Sequence, residues 1–248
     1  MGQTTLKQRQ ISGGLDGWIP AEQTWTYASA DSPTFTFTVA ADVTTKYSVG
    51  MKVKYTQSTV KYGIITAVSA YSAPNTTITV YGGTDYTMTN AAISANYYSM
   101  VRSPVGFPMS PAKWSVQVTY TTDYTQSPTT GGVWYNTTSI NIPVGLYSVS
   151  YSIPFGTSIA GTQVIARCTL STANNSESDT NFTGVVKVRD TGTAGIIEGT
   201  HTVYREKVLE LTSKATYYLN TSTDVSANTS VRGSTVHPVI LKATCAYL

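Results

Sequence analysis

Residues 142–155 read IPVGLYSVSYSIPF, and after Pro143 and Gly145 the apolar and polar positions alternate almost without a break. Tyr147, Val149, Tyr151, Ile153 and Phe155 fall on one face, and Ser148, Ser150 and Ser152 on the other. Side chains of a strand point to opposite faces with period two, so the stretch predicts a strand with one buried face. The same alternation recurs upstream. Phe35, Phe37 and Val39 alternate with Thr36 and Thr38. MKVKYT (51–56) predicts a short strand and VKYGIITAVSA (60–70) a longer one, with Gly63 marking a bend or bulge. After a turn at Ala73-Pro74-Asn75, TTITVY (76–81) predicts another, closed by Gly82-Gly83. Residues 89–94 have weak helical character and predict a single turn.

Farther along, Trp114, Val116, Val118 and Tyr120 alternate with Ser115, Gln117 and Thr119. A polar loop is expected at 121–132, then a short Trp134-Tyr135 segment, and 139–142 lead into the strand described first. Strands are expected at 162–170, 185–188, 202–211, 215–220, 229–232 and 238–247. Turns fall at 156–161 and 190–195, and a loop at 171–180. Val203, Lys207 and Leu211 would also suit a helix, but their setting among strands favours strand. Prolines 104, 108 and 111 break regular structure between the two sets of strands. The expected organisation is an extended arm at 1–17, a small β-domain at 18–107, a proline-rich linker at 108–113 and a head domain at 114–248. The fold class is all-β: a small N-terminal β-barrel or sandwich plus a C-terminal jelly-roll β-sandwich. Two facing sheets bury one face of every strand.

Composition narrows the function classes. Charged residues are 12% of the 248, about half the usual ~25%, and 41% are hydrophobic, the opposite of a disordered chain. A net charge of +3 is too mild and scattered for a nucleic-acid footprint. Lys52, Lys54 and Lys61 lie near one another and read as solvated charges on an exposed strand face. The N-terminus is polar, without the apolar core of a signal peptide, and no apolar run is long enough to span a membrane as a helix. Cys168 and Cys245 sit in apolar phase and read as small buried hydrophobes; a disulfide would require their strands to be neighbours.

Residues 35–108 carry an ordered set of motifs. An aromatic strand ends in Asp42-Val43-Thr44. It is followed by Tyr47-Ser48-Val49-Gly50-Met51-Lys52-Val53-Lys54-Tyr55, by Val60-Lys61-Tyr62-Gly63-Ile64-Ile65-Thr66-Ala67-Val68, and by Thr76-Thr77-Ile78-Thr79-Val80. Tyr97-Tyr98-Ser99 and Pro104-Val105-Gly106-Phe107-Pro108 close the set. The order resembles a small β-domain of tailed-bacteriophage structural proteins, fibre- and baseplate-associated ones among them. There a strand pair around VG-x-x-[VI] precedes YG-x-I-x-x-V and a Thr-rich strand. In the second half, Pro143-Val144-Gly145-Leu146-Tyr147-Ser148-Val149, then Val208-Leu209-Glu210-Leu211 and Tyr217-Tyr218-Leu219, with a hydrophobic end at 243–248, resemble the C1q/TNF-like jelly roll. The chain departs from that family in having Lys214 where it usually has Gly. The resemblance implies a homotrimer, with Tyr147 and Tyr151 in the core or at the trimer axis.

Catalytic patterns are not evident. There is no Gly-x-Ser-x-Gly elbow, P-loop or dinucleotide fingerprint. His201 and His237 read as strand-edge residues, and with the two cysteines they lack zinc spacing. Asp179, Asp190, Glu198, Glu206 and Glu210 are too sparse to suggest a pair of glycosidase carboxylates. The expectation is a binding protein that is not an enzyme, with no cofactor and no metal site. Trp134 and Tyr135, with Tyr124, form the candidate receptor-contact patch, because Tyr and Trp offer rigid amphipathic contact area. The expected role is a trimeric receptor-binding or tail-tip protein of a virion, on the tail or baseplate. Its expected partners are its own copies, other virion proteins through the N-terminal part, and a host-surface glycan or protein, with no nucleic acid and no membrane insertion. The alternative is a capsid decoration, neck or head-fibre protein with a purely structural role.

Overall fold

The computed structural model describes residues 16–85, 87–126, 129–158, 163–189, 200–226, 228–232 and 237–247. The expected arm lies outside them except for Asp16 and Gly17, as do the turn at 190–195 and residues 159–161 of that at 156–161, whose first three residues are strand instead. The described residues are all-β apart from two short 3-10 turns, Gly83–Asp85 and Thr180–Phe182. They divide into two compact units, the first ending at Trp114 and the second spanning Ser115–Tyr247.

The first unit is one antiparallel sheet of seven strands: β1 (Ile19–Pro20), β2 (Trp25–Asp31), β3 (Thr34–Val39), β4 (Lys52–Gln57), β5 (Thr59–Val68), β6 (Thr76–Tyr81) and β7 (Ser94–Ser99). Their order is β1-β7-β4-β5-β6-β3-β2. In a flat sheet β2 and β4 would lie about 19 Å apart. Yet Trp25 of β2 sits 6.3 Å from the Tyr55 ring of β4 and stacks on Phe37 at 4.3 Å. The sheet therefore curls, and its concave face closes on Trp25, Phe35, Phe37, Tyr47, Tyr55 and Ile78. The bulge in β5 falls between Ile65 and Ala67, not at the expected Gly63. Gly63 has a different cause: a Cβ there would stand 2.3 Å from Val80 Cγ1, so the close approach of β6 requires glycine.

Three expectations change in this unit. The turn at 89–94 is not helical. Gln57, 7% exposed, donates from Nε2 to the carbonyls of Thr89 (2.9 Å) and Ala91 (3.1 Å) and accepts from the Thr89 N–H, so a side-chain amide takes up the backbone groups a helix would pair. The supposed linker at 108–113 and Trp114 belong to the first unit. Trp114 stacks on Phe107 at 5.2 Å, donates from Nε1 to Pro108 O (2.8 Å), and its carbonyl accepts from Tyr81 Oη (2.6 Å). Finally, Lys52 and Lys54 do not stand on an open strand face: the first is buried and the second half-buried. Lys52 is 6% exposed and donates to Gly50 O. Lys54 Nζ lies 4.7 Å from the Trp18 ring centroid and 4.5 Å from that of Tyr97. Two aromatic faces flank that charge.

The second unit holds β8 (Val116–Tyr120), β9 (Asp123–Gln126), β10 (Trp134–Ile142), β11 (Gly145–Ser158), β12 (Gln163–Ser171), β13 (Thr183–Arg189), β14 (Thr200–Leu211), β15 (Ala215–Thr223), β16 (Asn228–Arg232) and β17 (Val239–Tyr247). One sheet runs β10-β15-β12-β13. The other is built on β11. Along one side β11 pairs with β14 from Gly145 to Gly156. Along the other it pairs first with β17 and then with β16, which carry β8 and β9 outside them. The orders β8-β17-β11-β14 and β10-β15-β12-β13 interleave the chain as a jelly roll does.

The alternating face of β11 is the centre of this sandwich. Tyr147, Val149, Tyr151, Ile153 and Phe155 are each at most 1% exposed. The Tyr151 hydroxyl reaches the opposite sheet, donating toward the carbonyls of Cys168 (2.7 Å) and Phe182 (3.0 Å) and accepting from Gly184 N–H (2.8 Å). Gly184 is required there, because a Cβ would meet Val203 Cγ1 at 2.4 Å. Both tyrosines are thus sealed inside one chain and are not available to a trimer axis. Cys168 and Cys245 are buried and form no disulfide, in β12 of one sheet and β17 of the other. Burial pushes the Cys168 thiol well above its usual range, so it is inert packing. Residues 202–211 are strand, and 134–142 form one strand with an irregularity between Asn136 and Thr138. The expected loop at 121–132 contains β9, which places Tyr124 on a strand.

Candidate recognition surface

Trp134 and Tyr135 begin β10 at the edge of the four-stranded sheet. Adjacent strand residues face opposite sides, and the register agrees: Tyr135 is level with Thr221 and Trp134 with Ser222. Tyr135 lies on the core side, where its hydroxyl accepts from Thr130 N–H (2.9 Å); that bond holds its pKa below the usual tyrosine value. Tyr124 lies in the other sheet, level with Val231, and donates to Gln126 Oε1 (3.2 Å). The three aromatics expected to form one patch therefore do not share a face. Of them, Trp134 alone lies on the outer face of the four-stranded sheet.

What surrounds Trp134 follows from the register. Ser222 of β15 is level with Trp134 on one side and with Arg167 of β12 on the other, and Arg167 is level with Val185 of β13. One row thus crosses all four strands: Trp134, Ser222, Arg167, Val185. The next row continues with Asp224, Ile165 and Lys187. Asp224 Oδ1 accepts from Ile165 N–H (2.7 Å) and its own N–H donates back to Ile165 O (3.1 Å), while Ile165 is level with Lys187.

On the other side the first row is walled. Asn220, fully buried, donates from Nδ2 to the carbonyls of Ala173 (2.9 Å) and Ser176 (2.7 Å), and its Oδ1 accepts from Asn136 Nδ2 and Asn175 N. Asn175 adopts φ 52°, and its Oδ1 accepts from Asn136 N (2.6 Å). Residues 172–178 are thereby tied down over the row of Asn136, Asn220 and Thr169, and the Trp134 row lies just beyond the loop.

Four cations of this unit near the four-stranded sheet fall into two pairs. Arg205 Nε donates to Thr183 O (3.2 Å), and Lys207 pairs with Asp179; both join β14 to the edge of the facing sheet. Arg167 and Lys187 are exposed, and neither side chain forms a hydrogen bond or ion pair with the described residues. They were legible in the sequence: in QVIARCTLS, Arg167 lies in the phase opposite Val164, Ala166 and Cys168. What periodicity cannot give is the cross-strand register that sets Arg167 level with Trp134.

The first unit exposes a surface of another kind. Met100, Val101, Val105 and Met109 are 68, 52, 68 and 61% exposed, although the backbone beneath them is fixed. Val101 N–H donates to Ser99 Oγ (3.0 Å), Val105 N–H to Asp16 O (2.8 Å), and Trp18 Nε1 to Val105 O (2.8 Å). Apolar side chains held outward on a tied backbone are the pattern of a contact surface. Among the described residues no cluster of His, Cys, Asp and Glu is arranged to hold a metal ion.

No family model matches the chain, and no curated protein does. Among solved structures it is similar to the VP2 subviral particle of infectious bursal disease virus, at 16% identity over 91% of this chain and 63% of that one, with a TM-score of 0.31. T=1 particles derived from infectious bursal virus give 15%, 91%, 61% and 0.31. The mosquito-larvicidal Cry4Aa toxin of Bacillus thuringiensis gives 8%, 91%, 52% and 0.26. The chain spans less than two thirds of each of these proteins.

Proposed function

We propose that the chain is a structural protein of a virus particle, in a tailed bacteriophage, that docks through its first unit and recognises the host surface through its second. The observation that carries this reading is the contrast between the surfaces of two separately sealed units. The first holds Met100, Val101, Val105 and Met109 outward on a fixed backbone, which suits burial against other particle proteins. The second displays Trp134, Arg167 and Lys187 on a rigid sheet, which suits reversible recognition. The motif order of residues 35–108 adds to the phage reading and favours a tail or baseplate position. The protein works by binding, without a catalytic step. It acts as a homotrimer, so that three weak sites combine into firm attachment. Because Tyr147 and Tyr151 are used up in the core, the trimer contact uses other surfaces.

Pre-incubating host cells with the purified full-length chain is expected to lower subsequent particle adsorption, and the Trp134→Ala chain to do so at least tenfold less effectively. A wild-type chain that leaves adsorption unchanged would contradict the receptor role and favour a decoration, neck or head-fibre protein, whose docking surface would be the same.

A further inference from the structure

We infer that the outer face of the four-stranded sheet binds an acidic glycan, with Trp134 stacking on a sugar ring and Arg167 taking the carboxylate of that sugar or its neighbour. The inference rests on the recognition role proposed above and gives its chemistry.

Charge is scarce in this chain, and on the adjacent strand both Arg205 and Lys207 are engaged in joining the sheets. Arg167, two strands across from Trp134, and Lys187, one row on, engage no described residue with their side chains. An Arg that does not pair within its own unit keeps its forked donors for a planar anion, and carboxylate fits that fork with two parallel hydrogen bonds. Lys187 adds a second positive charge one row on. An acid on the same row as Lys187, Asp224, is occupied in part by Ile165 N–H. The face therefore offers more positive than negative charge to a ligand.

Trp134 decides the class of anion. It is half-buried, which fixes its ring while leaving part of it open, and none of the described residues pairs with its indole N–H. Strands lie about 4.8 Å apart, so the backbones of Trp134 and Arg167 stand about 10 Å apart across Ser222. Both long side chains can reach a single sugar or a disaccharide from opposite sides. A fixed aromatic face with a few polar groups around it is how a shallow site gains orientation. The loop at 172–178 bounds the site on one side through the Asn220 network, so the platform is rigid before a ligand arrives and little ordering is required on binding.

The test uses the full-length chain on an array of uronic-acid- and sialic-acid-bearing oligosaccharides, each beside its carboxyl-reduced neutral counterpart, with an acidic peptide and single-stranded DNA as further probes. At least one acidic oligosaccharide is expected to bind, its neutral counterpart at least tenfold more weakly. Arg167→Ala and Trp134→Ala should each lose about tenfold or more. Arg167→Lys, which keeps the charge but not the fork, should recover only part of the loss, and added salt should weaken binding more in the wild type than in Lys187→Ala. Thermal melts of the variants should match the wild type, since these side chains are exposed or at an edge. Equal binding of the neutral counterparts, or full binding by Arg167→Ala, overturns the inference. So does equal or stronger binding of the peptide or the DNA. If the chain blocks particle adsorption yet binds no acidic glycan, the ligand class fails while the receptor role stands. If it binds the acidic glycan through Arg167 without affecting adsorption, the site stands and the receptor role fails.

Discussion

Tyr151→Ala is expected to unfold the second unit under conditions where the wild type is folded, while the first unit keeps its protection. Removing a fully buried aromatic side chain costs about 3–5 kcal/mol, a large part of the roughly 5–15 kcal/mol that holds a domain together. Tyr151 also joins the sheets through its hydroxyl, which meets Cys168 O, Phe182 O and Gly184 N–H. The alanine chain would leave that amide buried without its acceptor. Tyr151→Phe separates the two effects. It keeps the ring and loses only the hydroxyl, so its cost is expected at about 1–3 kcal/mol. Hydrogen exchange resolved by peptide, across a denaturant series, reads both units in one experiment. Equal loss of protection in both units would contradict their separate cores.

Trp25→Ala is the corresponding change in the first unit, with an expected loss of about 3–5 kcal/mol. Trp25 lies on the edge strand β2, where a truncation would ordinarily be mild. Here it is 1% exposed and closes the curled sheet, stacking on Phe37 and reaching Tyr47 and Tyr55 of the distant side. Its indole also donates to Tyr47 Oη (3.3 Å). Protection in β2 and β3 should fall first, and the second unit should be unaffected. A Trp25→Ala chain with wild-type stability would mean that the core of the first unit lies elsewhere.

The strands were legible where one face is buried and the other is not. β11, β3 and β17 follow the period-two pattern because core and solvent sort their side chains cleanly. β9 was missed because it is a four-residue edge strand, DYTQ, whose ladder comes from backbone pairing with β16. Trp114 departs from its sequence pattern for a related reason. Its phase matches Val116 and Val118, but the stack on Phe107 holds it in the first unit and the strand starts two residues later. Lys52 and Lys54 show the limit of charge as a sign of exposure: the Gly50 carbonyl, two residues away, holds Lys52, and aromatic rings distant in sequence, Phe107, Trp18 and Tyr97, lie against the two ammonium groups. The candidate site divides in the same way. Trp134 was legible as an aromatic beside a glycine-rich turn. Tyr135 and Tyr124 were grouped with it by proximity in sequence, and alternation and sheet membership separate them. Arg167 became a partner of Trp134 only through the register of β10, β15 and β12.

The division of labour between the units is tested most directly by chemical footprinting of the chain free in solution and within the intact particle. Met100 and Met109 are exposed thioethers, which peroxide converts to sulfoxides, and Lys187 is an exposed amine open to acylation. The account predicts that Met100 and Met109 oxidise readily in the free chain and are protected in the particle, while Lys187 reacts equally in both. Equal oxidation of the two methionines in both states, or protection of Lys187 in the particle, would contradict it.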